Sequence, residues 1–349
     1  MMQKTKILVT GASGFIGSFI VSEGIARGFE MWAGMRKSSS KQYLTDPAIR
    51  FAELDLGNPA RLREQLAAYK EQMGGWDYIV HAAGATKALR REQFFQTNTD
   101  GTRHLVEALR ALEMMPRRFV FISSLSIFGA IREQPVRKPT ESNPWVYSPI
   151  LLSDTPHPNT AYGESKLAAE QFLTEQTDVP WVILRPTGVY GPRERDYFLM
   201  AQSIKQHIDF AVGHRPQEIT FVYVMDVVEA VFLALVKSVE HKAFFLSDGQ
   251  IYDSRRFSDL LQEEMGVSRV LHIKAPLWFL QVVCAVSGKI NGWMKKLTTL
   301  NMDKYHILSQ RNWQCDIEPT RKLLGYEPQW PLERGVKESV RWYKENGWL

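Results

Sequence analysis

Along residues 1–185 the apolar positions switch repeatedly between two periods. Short β-branched runs at 6–10, 29–34, 49–54, 77–81, 119–122 and 181–184 read as strands. Between them, stretches near 15–27, 59–73, 92–113 and 162–175 carry the wider spacing of amphipathic helices. Strands alternating with helices predict an α/β fold, a doubly wound parallel sheet covered on both faces. After Arg185-Pro186 the alternation loosens. One further strand–helix–strand unit, at 219–224, 226–237 and 243–246, is expected to return to the sheet, and 254–349 is mostly helical. The pattern therefore predicts a sheet domain over 1–185, rejoined by 219–247, and a smaller, mostly helical lobe over 186–349. The apolar stretch 277–286 would span about 15 Å as a helix, half of a ~30 Å bilayer core. It reads as lobe core. A membrane-surface helix continuing through Trp293 to Lys296 is the less favoured alternative.

Charge and composition narrow the partners. Forty-three Lys and Arg stand against 38 Asp and Glu, and the excess of +5 is scattered as short pairs such as Arg90-Arg91 and Lys295-Lys296. Nucleic acid is excluded as the expected partner, because phosphate tracking needs a clustered basic footprint. Two cysteines, Cys284 and Cys315, form no disulfide framework, and neither they nor the eight histidines have metal-ligand spacing. No leader peptide is visible at the start of the sequence. A cytoplasmic protein without a metal is expected.

Candidate chemistry begins at the first strand-to-helix turn. Gly11, Gly14 and Gly17, with Ser13, Phe15 and Ile16 between them, give a G-x-x-G-x-x-G run. Glycines there permit a tight turn and a close approach of backbone to a diphosphate, which the helix N-terminus then holds. A dinucleotide is the expected ligand. No carboxylate stands at the tip of the second strand to take a ribose 2′-hydroxyl. Arg36, Lys37 and Lys41 follow it instead, which favours the 2′-phosphate of NADP, with NAD as the other option.

Tyr162 and Lys166 stand four apart at the start of a helix, on one face. An ammonium beside a phenol lowers its pKa from about 10 toward a working value. Ser123 and Ser124 leave the fifth strand at the carboxyl edge of the sheet, where a hydroxyl can orient a substrate oxygen.

Together with Asp55-Leu56, His81-Ala82-Ala83-Gly84, Asn98, and Arg185-Pro186-x-Gly188-Val189-Tyr190-Gly191, these motifs stand in one order. In that order the chain resembles the extended short-chain dehydrogenase/reductases, the NAD(P)-dependent epimerase/dehydratase group. The resemblance implies a Rossmann-like fold and a Ser124–Tyr162–Lys166 site in which Tyr162 moves the proton. It further implies that Asp55, Leu56, Ala82, Ala83, Gly84, Asn98, Ser123, Pro186, Gly188 and Val189 serve the cofactor, with Asn98 mainly a brace and His81 structural. A homodimer through the helices near 92–113 and 162–175 is implied as well.

Departures from the family pattern direct the expected chemistry. Leu125-Ser126 stand where sugar dehydratases carry an Asp-Glu pair, so water elimination is not expected. Ile219 stands where sugar-nucleotide epimerases place an arginine, although Arg193, Arg195 and Arg215 could bind phosphate in its stead. The substitution is similar to the 3β-hydroxysteroid dehydrogenase and dihydroflavonol reductase branch. The expectation is therefore NADP-dependent interconversion of a secondary alcohol and ketone on a mainly apolar small molecule. A nucleotide-sugar epimerase is the alternative, and a non-catalytic NADP sensor a third reading. The 37 residues between Ser124 and Tyr162, with six prolines and Trp145, read equally as an apolar lid or a surface excursion.

Overall fold

The computed structural model describes residues 4–141, 144, 146–293 and 301–349, with backbone alone at 288–293. Trp145 and residues 294–296 lie outside the described residues.

The sequence pattern becomes β1 (Lys6–Thr10), α1 (Phe15–Ala26), β2 (Glu30–Met35), β3 (Arg50–Glu53), α2 (Pro59–Met73) and β4 (Tyr78–His81). Helix α2 shows how locally its ends are set. The Asn58 side chain accepts from the Arg61 N–H at 3.1 Å, Pro59 opens the first turn, and Gly74 closes the last in a left-handed conformation. Where one helix is expected over 92–113, the chain forms α3 (Arg91–Phe94), a π segment (Phe95–Asp100) and α4 (Gly101–Ala111). Then follow β5 (Arg118–Ile122), α5 (Ala161–Thr174) and β6 (Trp181–Pro186).

These strands, with β11 described below, make one seven-stranded parallel sheet in the order β11-β6-β5-β4-β1-β2-β3. Burial on both faces explains the continuous apolar runs: all five residues of β5 are buried. Along β1, Ile7 and Val9 enter the core on one face and Leu8 the core on the other. The strand order reverses between β1 and β4, so their following loops diverge and leave a crevice at the carboxyl edge.

The rest of the chain adds β7 (Gly188–Tyr190), α6 (Asp196–Lys205), β8 (Ile208–Val212), β9 (Glu218–Ile219), β10 (Phe221–Tyr223), α7 (Val224–Val236) and β11 (Lys242–Leu246). Next come β12 (Tyr252–Asp253), α8 (Arg256–Met265), β13 (Leu271–Ala275), α9 (Leu277–Trp293), α10 (Met302–Ser309), α11 (Glu318–Leu324) and α12 (Leu332–Glu345). A third core, around Tyr190, Phe221, Phe257 and Tyr343, holds many of these elements together.

Only part of 219–247 rejoins the sheet. β11 does, but β10 pairs with β7 and β9 with β12 in separate two-stranded sheets. The reason lies in competing partners. The backbone of Glu218 is bonded to Arg311 and Trp313, and the Thr220 hydroxyl donates to the Trp313 carbonyl at 2.7 Å.

The stretch 277–286 divides by face: Leu280 and Cys284 are buried, whereas Trp278, Phe279, Val282 and Val286 are exposed. No described helix is long and apolar enough to cross a membrane. The segment between Ser124 and Tyr162 is docked on neighbouring chain. Val146, Tyr147 and Ile150 are buried, Arg132 pairs with Asp154 at 2.6 Å, and Ile150 bridges to Cys315.

Candidate active site

The glycine turn is shaped by sterics. Gly11 has φ +69°, and a side chain there would bring its Cβ within 2.6 Å of the Ala83 backbone. At Gly17 a Cβ would come within 2.3 Å of the Gly11 carbonyl. Gly14 leads into α1 without a side-chain cap, and no acidic residue occupies the first turn. The N–H groups and positive dipole end of α1 therefore remain for an anion.

Opposite this turn, the loop after β4 is braced from beneath. The buried Asn98 amide accepts from the Ala85 N–H at 2.7 Å and donates to the Ala85 carbonyl and the Ser165 hydroxyl. A directional chain of hydrogen bonds runs alongside. The Ala83 N–H donates to the Thr10 hydroxyl, and the Thr10 and Thr102 hydroxyls bond the two nitrogens of His81 at 2.7 and 2.9 Å. Because Thr102 donates to the Asn98 carbonyl, it accepts from His81 Nε2, leaving Nδ1 to accept from Thr10.

This arrangement needs a neutral imidazole. Burial, with a smaller contribution from the Lys166 charge, lowers the His81 pKa from 6.5 to about 3. The unfolded chain therefore binds a proton between pH 6.5 and 3 that the folded chain refuses. The stability this group contributes is whole above pH 6.5 and is lost toward pH 3, at up to about 1.4 kcal/mol per unit. Urea midpoints of wild type and His81→Asn, followed from pH 7 to 4, should converge as the pH falls. Parallel curves would contradict this account.

At the other side of the crevice, β5 ends at Ser123 and Ser124. The Ser123 hydroxyl is buried without a partner among the described residues, and its residue is 2% exposed. Ser124 Oγ accepts from the Ser126 N–H at 3.1 Å and lies close enough to the Tyr162 phenol to lower its pKa. Lys166, a turn beyond Tyr162 in α5, is buried over the Phe121 ring and donates to the Ile122 carbonyl at 2.8 Å. Its ammonium also lies close to the backbone of Gly84, where a Cβ would meet it at 3.1 Å. Burial lowers the Lys166 pKa to about 8, with Glu170 opposing. The expected lowering of the phenol is absent: burial raises the Tyr162 pKa, and only the nearby Ser124 hydroxyl opposes it. Lys166 is turned to a carbonyl, and Tyr162 holds its proton.

Two residues at this site escape sequence reading. Asp303, in α10, lies close to the backbone N–H groups of Ala161 and Tyr162, at the α5 N-terminus that the Thr160 hydroxyl caps. Glu170 forms a buried ion pair with Arg185 of β6 at 2.6 Å. Neither pairing has a spacing signal, since each joins elements far apart in the chain or lies inside an ordinary helix pattern.

Other expected positions have contacts of their own. Arg36 and Lys37 are exposed, and Lys41 is stacked on Phe51 at 3.8 Å. The Asp55 carboxylate accepts from Gly57 in its own loop, and the Leu56 side chain packs on the core beside α2. Pro186 ends β6, while Gly188 and Val189 pair with β10. Among the described residues no group of His, Cys, Asp and Glu is placed to hold a metal ion.

The crevice fits a dinucleotide: an uncapped helix N-terminus, a turn that a Cβ would fill, and an orphaned Ser123 hydroxyl. The profile of the NAD dependent epimerase/dehydratase family matches residues 7–246, more than half of the chain. The chain belongs to that family. It is an NAD(P)-dependent oxidoreductase/epimerase of the extended short-chain dehydrogenase group. The dTDP-6-deoxy-L-talose 4-dehydrogenase (NAD(P)(+)) of Kitasatospora kifunensis is 28% identical, covering 95% of this chain and 94% of the relative. Among solved structures, the UDP-glucose 4-epimerase of Thermotoga maritima with UDP-glucose has a TM-score of 0.74. It is 22% identical and covers 98% of this chain and 99% of its own. The dTDP-glucose 4,6-dehydratase of Bacillus anthracis in complex with NAD also reaches 0.74, at 17% identity, covering 98% and 97%.

These findings correct two expectations. Ile219 is packed against the core around Phe221, Tyr252 and Phe257, so its side chain serves the lobe interior. With that support removed and nucleotide-sugar enzymes as full-length structural counterparts, the apolar alcohol or ketone substrate is overturned. The 3 beta-hydroxysteroid dehydrogenase/isomerase of Mycobacterium tuberculosis is 23% identical, below the talose dehydrogenase. Placement in the steroid branch gives way to membership of the family as a whole.

Proposed function

We propose that this protein epimerises a nucleotide-linked sugar by transient oxidation at a hydroxyl-bearing carbon. The observation that carries the reading is the closeness of the Ser124 hydroxyl to the Tyr162 phenol at the carboxyl edge of the sheet, with Lys166 one turn away. The full-length similarity to sugar-nucleotide enzymes supports the substrate class. When bound, the nicotinamide accepts and returns the hydride. Ser124 and Tyr162 would hold the reacting oxygen; once the phenol has given its proton to solvent, its oxygen takes the hydroxyl proton as the hydride leaves and gives it back as the hydride returns. Lys166 and the orphaned Ser123 hydroxyl would face the nicotinamide end of the cofactor. The glycine turn would hold the diphosphate, and the loop 82–84 with Asp55-Leu56 the adenosine. Epimerisation is favoured over dehydration because Leu125 is buried in the core and Ser126 bonds Ser124, leaving no carboxylate at either position.

The finer features belong to the same proposal. Arg36 and Lys37 after β2 support NADP. Buried free cysteines support a reducing compartment such as the cytoplasm. A cofactor unit over 1–185 with β11, a substrate lobe over the remainder, and a homodimer through α4 and α5 complete the reading. The test is to incubate the protein with UDP- and dTDP-hexoses and NAD or NADP, following inversion at a sugar carbon by NMR. Inversion without net cofactor reduction is expected. Net reduction of free cofactor with each sugar consumed would replace epimerase by dehydrogenase, and no turnover of any nucleotide sugar would sink the substrate class.

A further inference from the structure

A cavity of about 370 Å³ lies over the glycine turn. Ser13 and Phe15 of the turn line it, with Tyr43 from the loop after β2, Lys87 from the loop after β4, and Arg193 and Arg195 from the loop after β7. The charges in this wall are unequally matched. Lys87 is paired with Asp196, and the Glu194 carboxylate accepts from the Tyr197 N–H at 2.7 Å. Arg193 has no carboxylate partner among the described residues.

The guanidinium of Arg193 is held with unusual firmness for an unpaired cation. It lies 4.2 Å from the Phe19 ring centroid and 4.6 Å from that of Tyr43. It donates to the Ser18 hydroxyl of α1 at 2.9 Å, and its Nε is buried without a hydrogen-bond partner. The backbone of Arg193 has φ +73°, a left-handed conformation that costs a non-glycine residue free energy. Burial disfavours its charged form. A desolvated guanidinium with an unmet donor is stabilised most by a doubly accepting anion, and phosphate oxygens match its planar fork.

We infer that Arg193 is a phosphate-binding residue for the dinucleotide, reaching from the C-terminal part of the chain across α1 to close the crevice over the glycine turn. The inference rests on the dinucleotide reading of that turn. Two phosphates are within the chemistry: the diphosphate bridge and the 2′-phosphate of NADP. The arrangement also gives Arg193 a part in coupling, since one side chain touches α1, the loop after β2 and the ligand.

The experiment is fluorescence titration of NADH and NADPH into wild type, Arg193→Met and Arg193→Lys, with a thermal melt of each. Methionine keeps apolar contact with Phe19 and Tyr43 but has no donor. Its Kd is expected to rise ~10- to 100-fold. An equal rise for both dinucleotides places Arg193 on the diphosphate, and a rise confined to NADPH places it on the 2′-phosphate. Values within twofold of wild type for both would overturn the inference. If the methionine variant melts below the assay temperature, the lysine variant decides. The ammonium lacks the planar fork that gives a phosphate two parallel hydrogen bonds, so weakening is expected and unchanged binding overturns the assignment. Failure of wild type to bind either dinucleotide would instead overturn the reading of the glycine turn.

Discussion

Tyr162→Phe should reduce turnover by roughly 10²- to 10⁴-fold while leaving dinucleotide affinity within about twofold. The substitution removes one hydroxyl from a residue whose ring packs edge-on to Phe94, so the fold around α5 has little reason to respond. What disappears is the phenol oxygen that exchanges the proton, with its approach to the Ser124 hydroxyl. Single-turnover measurement with pre-bound cofactor separates the chemical step from binding. Turnover near that of wild type would remove Tyr162 from the reaction, whereas a matched loss of cofactor affinity would make it a positioning residue.

The second large effect concerns stability. Glu170→Leu leaves Arg185 buried between the Phe128 and Phe245 rings without its counter-ion. Breaking one side of such a pair costs about 3–5 kcal/mol, because the surviving charge stays desolvated. Urea unfolding should register this loss, and the double variant Glu170→Leu with Arg185→Leu should recover most of it. A single variant as stable as wild type would show that water reaches the pair. Because Glu170 also sustains the charge on Lys166, the single variant should lose activity at a lower pH than wild type as the medium is made alkaline.

Local signals made much of this molecule legible. The six strands leading to residue 186 announce themselves as short buried apolar runs, and the helix opened by Tyr162 places Lys166 one turn away. The three glycines mark a turn whose crowding against Ala83 and the Gly11 carbonyl forbids side chains. What stayed hidden depends on contacts between distant segments. Asp303 comes to the start of the helix bearing Tyr162 across 141 residues of sequence, and aspartate in a first helical turn is common enough to carry no address. Ile219 has a plain strand neighbourhood that cannot reveal whether it faces a pocket or the core. The segment 146–150 looks like a loop by composition, yet Val146, Tyr147 and Ile150 are buried because Glu218 and the chain near 314 supply the hydrogen bonds that an isolated loop lacks.

The π segment at 95–100 carries one consequence for how this protein tolerates changes of length. Its hydrogen bonds reach one residue farther than those of an α-helix, so it stores a residue beyond what a straight helix of the same rise would hold. Deleting one residue there would remove that excess and let the segment close into a straight α-helix, so Leu105 and Leu109 would keep their places in the core. The residues of the segment itself would instead turn by up to about 100°, the rotation per residue of an α-helix, and Asn98 would leave the loop it braces. That short turn works as a phase adjuster: it lets one helix obey the core on its far half and the crevice on its near half.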